Sequence, residues 1–253
     1  MATDILRDRL FDGETLVGTF QISGSPMVAE TLGETGMDFV ILDQEHGPLT
    51  AETSASLTMG LDNTDTASVV RVRENSKPEI QRALDIGAQG VQIPQIETLE
   101  DAQEAAAAAN FSPIGERGLS QYVRAGDYVG SDTYTDDQNE RTTVIIHVEG
   151  QRGVDNIEDI LSVEGIDVIF LGPYDLSQSL GIPGQVRDER VEELMSEVAE
   201  KAEEAGRVVG TFADDPEMAR RWMDAGVQYI AMYVELPFLH DAADEAYRQA
   251  FEQ

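Results

Sequence analysis

The sequence predicts an α/β fold, a single (β/α)8 TIM barrel, and three observations carry that reading. Short apolar runs rich in β-branched residues alternate with longer segments of helical spacing, and there are eight such runs. The length, 253 residues with 41% hydrophobic content, suits one well-packed barrel over residues 1–253.

In chain order the runs are LVGTFQI (16–22), DFVILD (38–43), ASVVRV (67–72), GVQIPQI (90–96), TVIIHVE (143–149), DVIFLG (167–172), RVVGTF (207–212) and VQYIAMYV (227–234). The segments between them, such as AETSASLTMGLDN, KPEIQRALDIG, TLEDAQEAAAAANF and VEELMSEVAEKAEEAG, have helical spacing or helix-forming composition. A doubly wound open sheet is the rival architecture. It usually carries a G-x-G-x-x-G turn after an early strand, and this chain has none. The stretch 112–142, rich in Gly, Pro, Asp and Ser, breaks the regular spacing and is expected to be a long loop on the βα side, where long loops are usually functional.

Composition narrows the function. Cysteine is absent, which excludes disulfides, thiol redox chemistry and thiolate metal ligands, so any metal must be held by oxygen or histidine. The formal charge of −32, from 49 acidic against 17 basic residues, repels nucleic acid and anionic membranes, and neither is expected as a partner. Acidic residues crowd the helical segments while lysine occurs only at Lys77 and Lys201, a bias like that of proteins from salt-accumulating halophiles. No apolar run approaches the roughly 18 residues of a membrane span, and MATDILRDRLFDGET lacks the apolar core of a signal peptide; a cytoplasmic location is expected.

In a barrel enzyme the chemistry sits where strands end, so the polar residues at those ends are the candidates. Glu149 and Asp175 are carboxylates at the ends of neighbouring strands, placed to converge on one point. Hard oxygen ligands favour Mg²⁺ or Mn²⁺, with Co²⁺ possible through geometry. The bland reading has Asp175 capping the helix at Leu176 and Glu149 solvated. His46 follows an apolar strand directly and suits a general base; a structural hydrogen-bonding role is the alternative. Asp85, at the end of a helical segment, can orient His46 only if the fold brings the two together. Arg71 lies inside VVRV and needs an anionic partner, either a substrate oxygen or one of the many acids. His147 shares a strand face with Glu149 under the two-residue period and points into the barrel. His240, beside acids in the last helix, reads as structural.

Taken together, DFVILDQEHGP, VVRV, LDIGAQGVQIPQIET, GERGLSQYVRAGDY, the strand ending in Glu149 and VIFLGPYDLSQSLG resemble the HpcH/HpaI aldolase family, the metal-dependent pyruvate aldolases, almost from end to end. The resemblance implies cleavage of a 4-hydroxy-2-oxo acid, a 2-dehydro-3-deoxy sugar acid or a hydroxy-oxo dioate, to pyruvate and an aldehyde. It implies that Glu149 and Asp175 hold a metal that chelates pyruvate, and that Arg71 stabilises the enolate. His46 paired with Asp85 takes the proton of the 4-hydroxyl, and backbone amides near Tyr174 and Asp175 hold the carboxylate. Asp43 and Glu45 support water around the metal.

This chain departs from the family pattern at His147, where the hydroxyheptanedioate enzymes carry glutamine, and Phe212 stands at an aliphatic position near the aldehyde. Both are expected to touch the substrate. A Schiff-base mechanism would need a strand-end lysine, and neither Lys77 nor Lys201 is placed for it.

Two other readings stand beside the first. One is an acyl-CoA lyase of the citrate lyase β-subunit type, disfavoured because the long loop lacks a basic patch for CoA phosphates. The other is a non-catalytic oxo-acid or metal-binding barrel. The resemblance also implies a homo-oligomer, a trimer or hexamer, with a terminal helix exchanged between subunits. The apolar positions of LPFLHDAADEAYRQAFEQ fit that exchange and fit a helix packed on its own barrel equally well.

Overall fold

Each of the eight runs contains one strand in the computed structural model, which describes residues 6–251. The strands are β1 (Leu16–Gln21), β2 (Phe39–Asp43), β3 (Ala67–Arg71), β4 (Gly90–Ile93), β5 (Thr143–Val148), β6 (Val168–Leu171), β7 (Val208–Ala213) and β8 (Tyr229–Val234). All pair in parallel with their sequence neighbours, and β8 pairs back onto β1 to close the barrel. Closure leaves no free edge and buries both faces of the strands, so β2 is apolar on both faces up to Asp43 and fully buried.

One face of the strands fills the lumen. Phe39, Ile41, Val69, Ile145, Val168, Phe170 and Tyr229 form one cluster with Leu16 and Phe20. Phe39 and Tyr229 stack at 4.0 Å with an interplanar angle of 8°. Two strand glycines make room for them. A Cβ on Gly18 would lie 2.2 Å from the Phe39 carbonyl oxygen, and one on Gly210 would lie 2.9 Å from the Tyr229 ring. Helix α1 (Leu6–Phe11) adds Leu6 and Leu10 to this cluster and is tied to the start of β6 by Arg7 Nε donating to Asp167 Oδ1 at 2.9 Å.

The other face packs under the helices α2 (Pro26–Gly33), α3 (Ala51–Leu61), α4 (Lys77–Asp85), α5 (Leu99–Ala109), α7 (Gln151–Asp155), α8 (Ile157–Leu161), α9 (Pro173–Ser179), α10 (Glu189–Glu204) and α11 (Pro216–Asp224), while α6 (Tyr134–Arg141) adds no residue to that core. The helical pattern explains itself locally. Thr98 and Asp101 close a capping box at the start of α5, whose buried face is Ala102, Ala105, Ala106 and Ala109. In α10 the residues Val191, Met195, Val198 and Ala202 recur at helical spacing on the buried side, leaving the acids to solvent.

One sequence expectation changes here, and one of the two placements left open for the last helix is not the one observed. The stretch 112–142 leaves α5 and enters β5, so it lies on the αβ side, at the end of the barrel opposite the strand ends, and carries α6 and a 3-10 turn. The helix of the fourth βα unit had already returned the chain to that end. The last helix, α12 (Glu235–Phe251), is not packed along its own barrel: Glu235 is its only buried residue, while Leu236, Leu239, Tyr247 and Phe251 are exposed.

Candidate active site

Every strand delivers side chains to the same mouth, and strand register decides which of them meet. Asp43 and Arg71 are register partners on β2 and β3. Arg71 Nε donates to Asp43 Oδ1 at 2.8 Å and Nη2 to Oδ2 at 2.7 Å, a bidentate pair. Arg71 Nη1 lies 3.1 Å from Glu45 Oε2, and the guanidinium stands 4.6 Å over the Phe20 ring. The acid partners expected in the bland reading are therefore present. A guanidinium has five N–H donors, and these contacts engage three, leaving two for a ligand.

Glu149 directly follows β5, and it is not merely solvated. Its Oε1 accepts the Gln95 backbone N–H at 2.9 Å, and Oε2 lies 3.1 Å from His147 Nδ1. Gln95 makes that bond from a left-handed conformation, φ 59°, unusual for a residue with a side chain, and its amide also reaches Glu45 Oε1 at 3.3 Å. Burial works to raise the Glu149 carboxyl, but His147, the Gln95 N–H and Arg71 together hold it below the usual carboxylate range.

Asp175 is the third residue of α9, whose cap is Gly172, so it is not the helix cap. Burial pushes its carboxyl up, and the neighbouring charge of Glu149 adds to the rise. The same two causes, against the pull of Arg71, leave Glu45 above its ordinary value. Gly172 lies between the strand-end carboxylates. A Cβ there would sit 3.0 Å from Glu149 Oε2 and 3.9 Å from Asp175 Oδ2, so both oxygens face a space that only glycine leaves open. Among the described residues no group of three or more His, Cys, Asp or Glu side chains gathers as a closed metal cage.

His147 is placed where the strand period put it, but its nitrogens are occupied. The residue is 1% exposed, stacked on Phe170 at 4.5 Å, with Nε2 2.5 Å from Gln92 Nε2. The Glu149 carboxylate can only accept, so a proton on Nδ1 satisfies that contact and leaves Nε2 to the Gln92 amide. His147 borders the cavity with its ring and reaches the site through Glu149 rather than through a free nitrogen.

A cavity of about 540 Å³ opens above these residues, bordered also by His46, Phe212 and Tyr174. His46 is 71% exposed at its side chain, with Nε2 4.0 Å from Glu45 Oε2. Its expected partner Asp85 is elsewhere. Asp85 is the last residue of α4, which runs back from the mouth for about 13 Å at 1.5 Å per residue, and there it accepts from Arg117 Nη2 at 2.7 Å. Strands run toward the mouth and helices away from it, so one chain cannot pair a residue following β2 with the end of α4. The Asp85–His46 pair is thus corrected for the single chain. Sequence reasoning passed over Gln92, Gln95 and Asp214. Gln92 was visible as a lone polar residue in an apolar strand, and Asp214 as a strand-end acid. Exposed His240 bonds Asp241, its neighbour in α12.

A closed barrel with carboxylates, a guanidinium and an imidazole gathered at its strand ends is the architecture of a barrel enzyme. The family description HpcH/HpaI aldolase/citrate lyase matches residues 16–242. A 2-keto-3-deoxy-L-rhamnonate aldolase of Escherichia coli is 32% identical over 246 residues, covering 97% of this chain and 92% of the relative. An HpcH/HpaI aldolase/citrate lyase family protein from Burkholderia cenocepacia has a similar structure, with a TM-score of 0.92, 35% identity and 97% and 98% of the two chains covered. An HpcH/HpaI aldolase from Desulfitobacterium hafniense reaches a TM-score of 0.92 at 28% identity, over 98% and 97% of the chains. The chain belongs to the HpcH/HpaI aldolase/citrate lyase family and is a carbon–carbon lyase of its aldolase class. Aldolases of this class generally depend on a divalent metal. No described helix is long and apolar enough to cross a membrane.

Proposed function

We propose that this chain cleaves a 2-keto-3-deoxy sugar acid to pyruvate and an aldehyde, with Glu149 and Asp175 holding the metal ion. The observation that carries this reading is the pair of carboxylate oxygens converging on the space beside Gly172, next to the Arg71 guanidinium. The substrate class follows from the Escherichia coli relative. Two hard oxygen donors, with no third side-chain ligand among the described residues, suit Mg²⁺ or Mn²⁺ with positions left for water and substrate, and Co²⁺ can follow through geometry. Such an ion, when bound, polarises the 2-oxo group and offsets the negative charge that develops there.

The chain's own residues do the rest. His46, exposed at the mouth, takes the proton from the 4-hydroxyl as the C3–C4 bond breaks and its electrons move toward the 2-oxo carbon. The two free donors of Arg71 bind the enolate oxygen, and Asp43 fixes the guanidinium in place. Tyr174 and Asp175 present the first turn of α9 to the substrate carboxylate. His147, held by Gln92 and Phe170, orients Glu149 from behind, and Phe212 borders the aldehyde half. His147 therefore acts on the substrate through Glu149.

We also infer a cytoplasmic homo-oligomer, a trimer or hexamer. The exposed Leu236, Leu239, Tyr247 and Phe251 of α12 support docking of that helix on a second copy. In such an assembly Asp85 can still serve His46, from a neighbouring subunit. The test of the metal assignment is titration calorimetry with Mn²⁺ on the wild type, Glu149→Gln and Asp175→Asn, run beside pyruvate release from a panel of 2-keto-3-deoxy sugar acids. Each variant is expected to lose metal affinity and turnover together while its fold, read by circular dichroism, stays the same. Chelation is expected to abolish turnover reversibly. Wild-type affinity in either variant, or full turnover after exhaustive chelation, overturns the assignment.

A further inference from the structure

The cavity wall facing Arg71 has a chemistry of its own. β7 lies four strands from β3 in the ring of eight, so residues following β7 stand across the mouth from the guanidinium. Asp214 follows β7 directly, and the Tyr174 hydroxyl donates to its Oδ1 at 2.7 Å. The Tyr174 ring meets Phe212 edge-on at 6.0 Å, and Phe212 lies 5.9 Å from Phe20. Tyr233, also at the cavity, donates to Asp241 at 3.1 Å. This wall is aromatic, studded with hydroxyls and carboxylates.

Charge then decides what the wall can accept. Among the described residues no lysine borders the cavity and Arg71 is its one arginine, already bonded to Asp43 and Glu45. Asp43, Glu149, Asp175 and Asp214 make the cavity strongly acidic. A substrate carboxylate at the pyruvate end has Arg71 and the site beside Gly172 to face. One at the other end meets the Asp214 carboxylate on a wall that no lysine or arginine borders among the described residues, and an uncompensated like-charge approach is a strong negative selector. A hydroxyl there finds the opposite: Asp214 Oδ2, with no partner among the described residues, accepts a hydroxyl proton, and the Tyr174 oxygen accepts another.

We propose that the Tyr174–Asp214 pair is the specificity-determining element of the aldehyde half of the site, admitting a neutral, hydroxyl-bearing chain and excluding one that ends in a carboxylate. This rests on the aldolase reading above, and it chooses between the two substrate classes that reading began with: the sugar acid is taken and the hydroxy-oxo dioate refused. Asp214 is a positioning and selecting residue, remote from the bond that breaks.

The test compares kcat/KM for a 2-keto-3-deoxy sugar acid and a 4-hydroxy-2-oxo dioate of equal chain length. The wild type is expected to favour the sugar acid, and Asp214→Asn to shrink that preference by about tenfold or more, mostly through gain on the dioate, because removing one like charge removes the negative selection. Asp214→Ser serves as the second variant should the asparagine protein fold poorly. Independently, a neutral hydroxyaldehyde should inhibit methyl-proton exchange of pyruvate by the wild type far better than a semialdehyde carrying a carboxylate. Exchange with an unchanged preference in the Asp214 variants, or equal inhibition by the two aldehydes, overturns the proposal. If the wild type exchanges no pyruvate protons with metal present, the aldolase site itself has been misread and this selectivity falls with it.

Discussion

Arg71→Met should damage the protein twice, once in stability and once in catalysis, and the two losses should separate in a double variant. The guanidinium side chain is 11% exposed and the Asp43 carboxylate 3% exposed, joined by bonds of 2.8 and 2.7 Å. Removing the cation leaves Asp43 with backbone N–H bonds from Glu45 and His46 and no counter-charge. Breaking a buried pair from one side typically destabilises by about 3–5 kcal/mol, which for a chain of this size is a fall in Tm of about 6–20 °C. Adding Asp43→Asn removes the stranded charge, and the residual loss should shrink to about 1–2 kcal/mol for an imperfectly bonded amide. Turnover should stay down by about 10² to 10³-fold in both proteins, since neither carries the donors proposed for the enolate. The assay is thermal unfolding at fixed molar salt, paired with pyruvate release. A stability loss under about 1 kcal/mol in Arg71→Met, or recovery of turnover in the double variant, would refute the account of this pair.

His46→Ala is expected to slow cleavage by about 10² to 10⁴-fold while pyruvate methyl-proton exchange persists, because His46 serves the 4-hydroxyl and not the pyruvate half; equal losses in both reactions show that the role is misassigned. Folding and activity are expected to need molar salt, since a net charge of −32 repels itself and screening shortens that repulsion to a few ångströms; a full cooperative unfolding transition in dilute buffer removes the halophile reading.

The barrel was legible because apolar runs with β-branched residues have few other solutions at this spacing, and all eight fell on strands. Glu149, Arg71 and His147 could be placed for the same reason, since a strand end and a two-residue period determine where a side chain points, whereas Asp175 lies in the first turn of α9. What failed was direction along the helices. Asp85 ends a helix and the stretch 112–142 follows one; each helix returns the chain to the far end of the barrel, and composition alone does not report that reversal. The Tyr174–Asp214 and Gln92–His147 contacts were hidden differently, since 40 and 55 residues separate the partners and only strand order in the closed ring brings them together. His147 lines the cavity at the position its strand period gives, while its contacts with Gln92 and Glu149 needed the fold to be seen.

Asp85 is the sharpest remaining question, and its surroundings tell what to expect. Arg117, whose side chain is fully buried, donates to Asp85 Oδ1 at 2.7 Å, while Oδ2 has only a long contact of 3.4 Å from Gln81. Asp85 is partly exposed, with 17% of its side chain accessible, so the second oxygen can meet a group from outside the chain. If that group is His46 of another subunit, each working site takes its base from one chain and its orienting acid from the next. Asp85→Asn and His46→Ala should then each be nearly inactive alone. After dissociation and joint reassembly of equal amounts, random placement gives about a quarter of the sites an intact pair, so about a quarter of wild-type turnover should return. The mixture is compared with each variant reassembled by itself. No recovery on mixing, with subunit exchange verified by a mass tag, would mean that Asp85 acts within its own chain by holding Arg117, and an Asp85→Asn protein of normal activity would mean that His46 works without it.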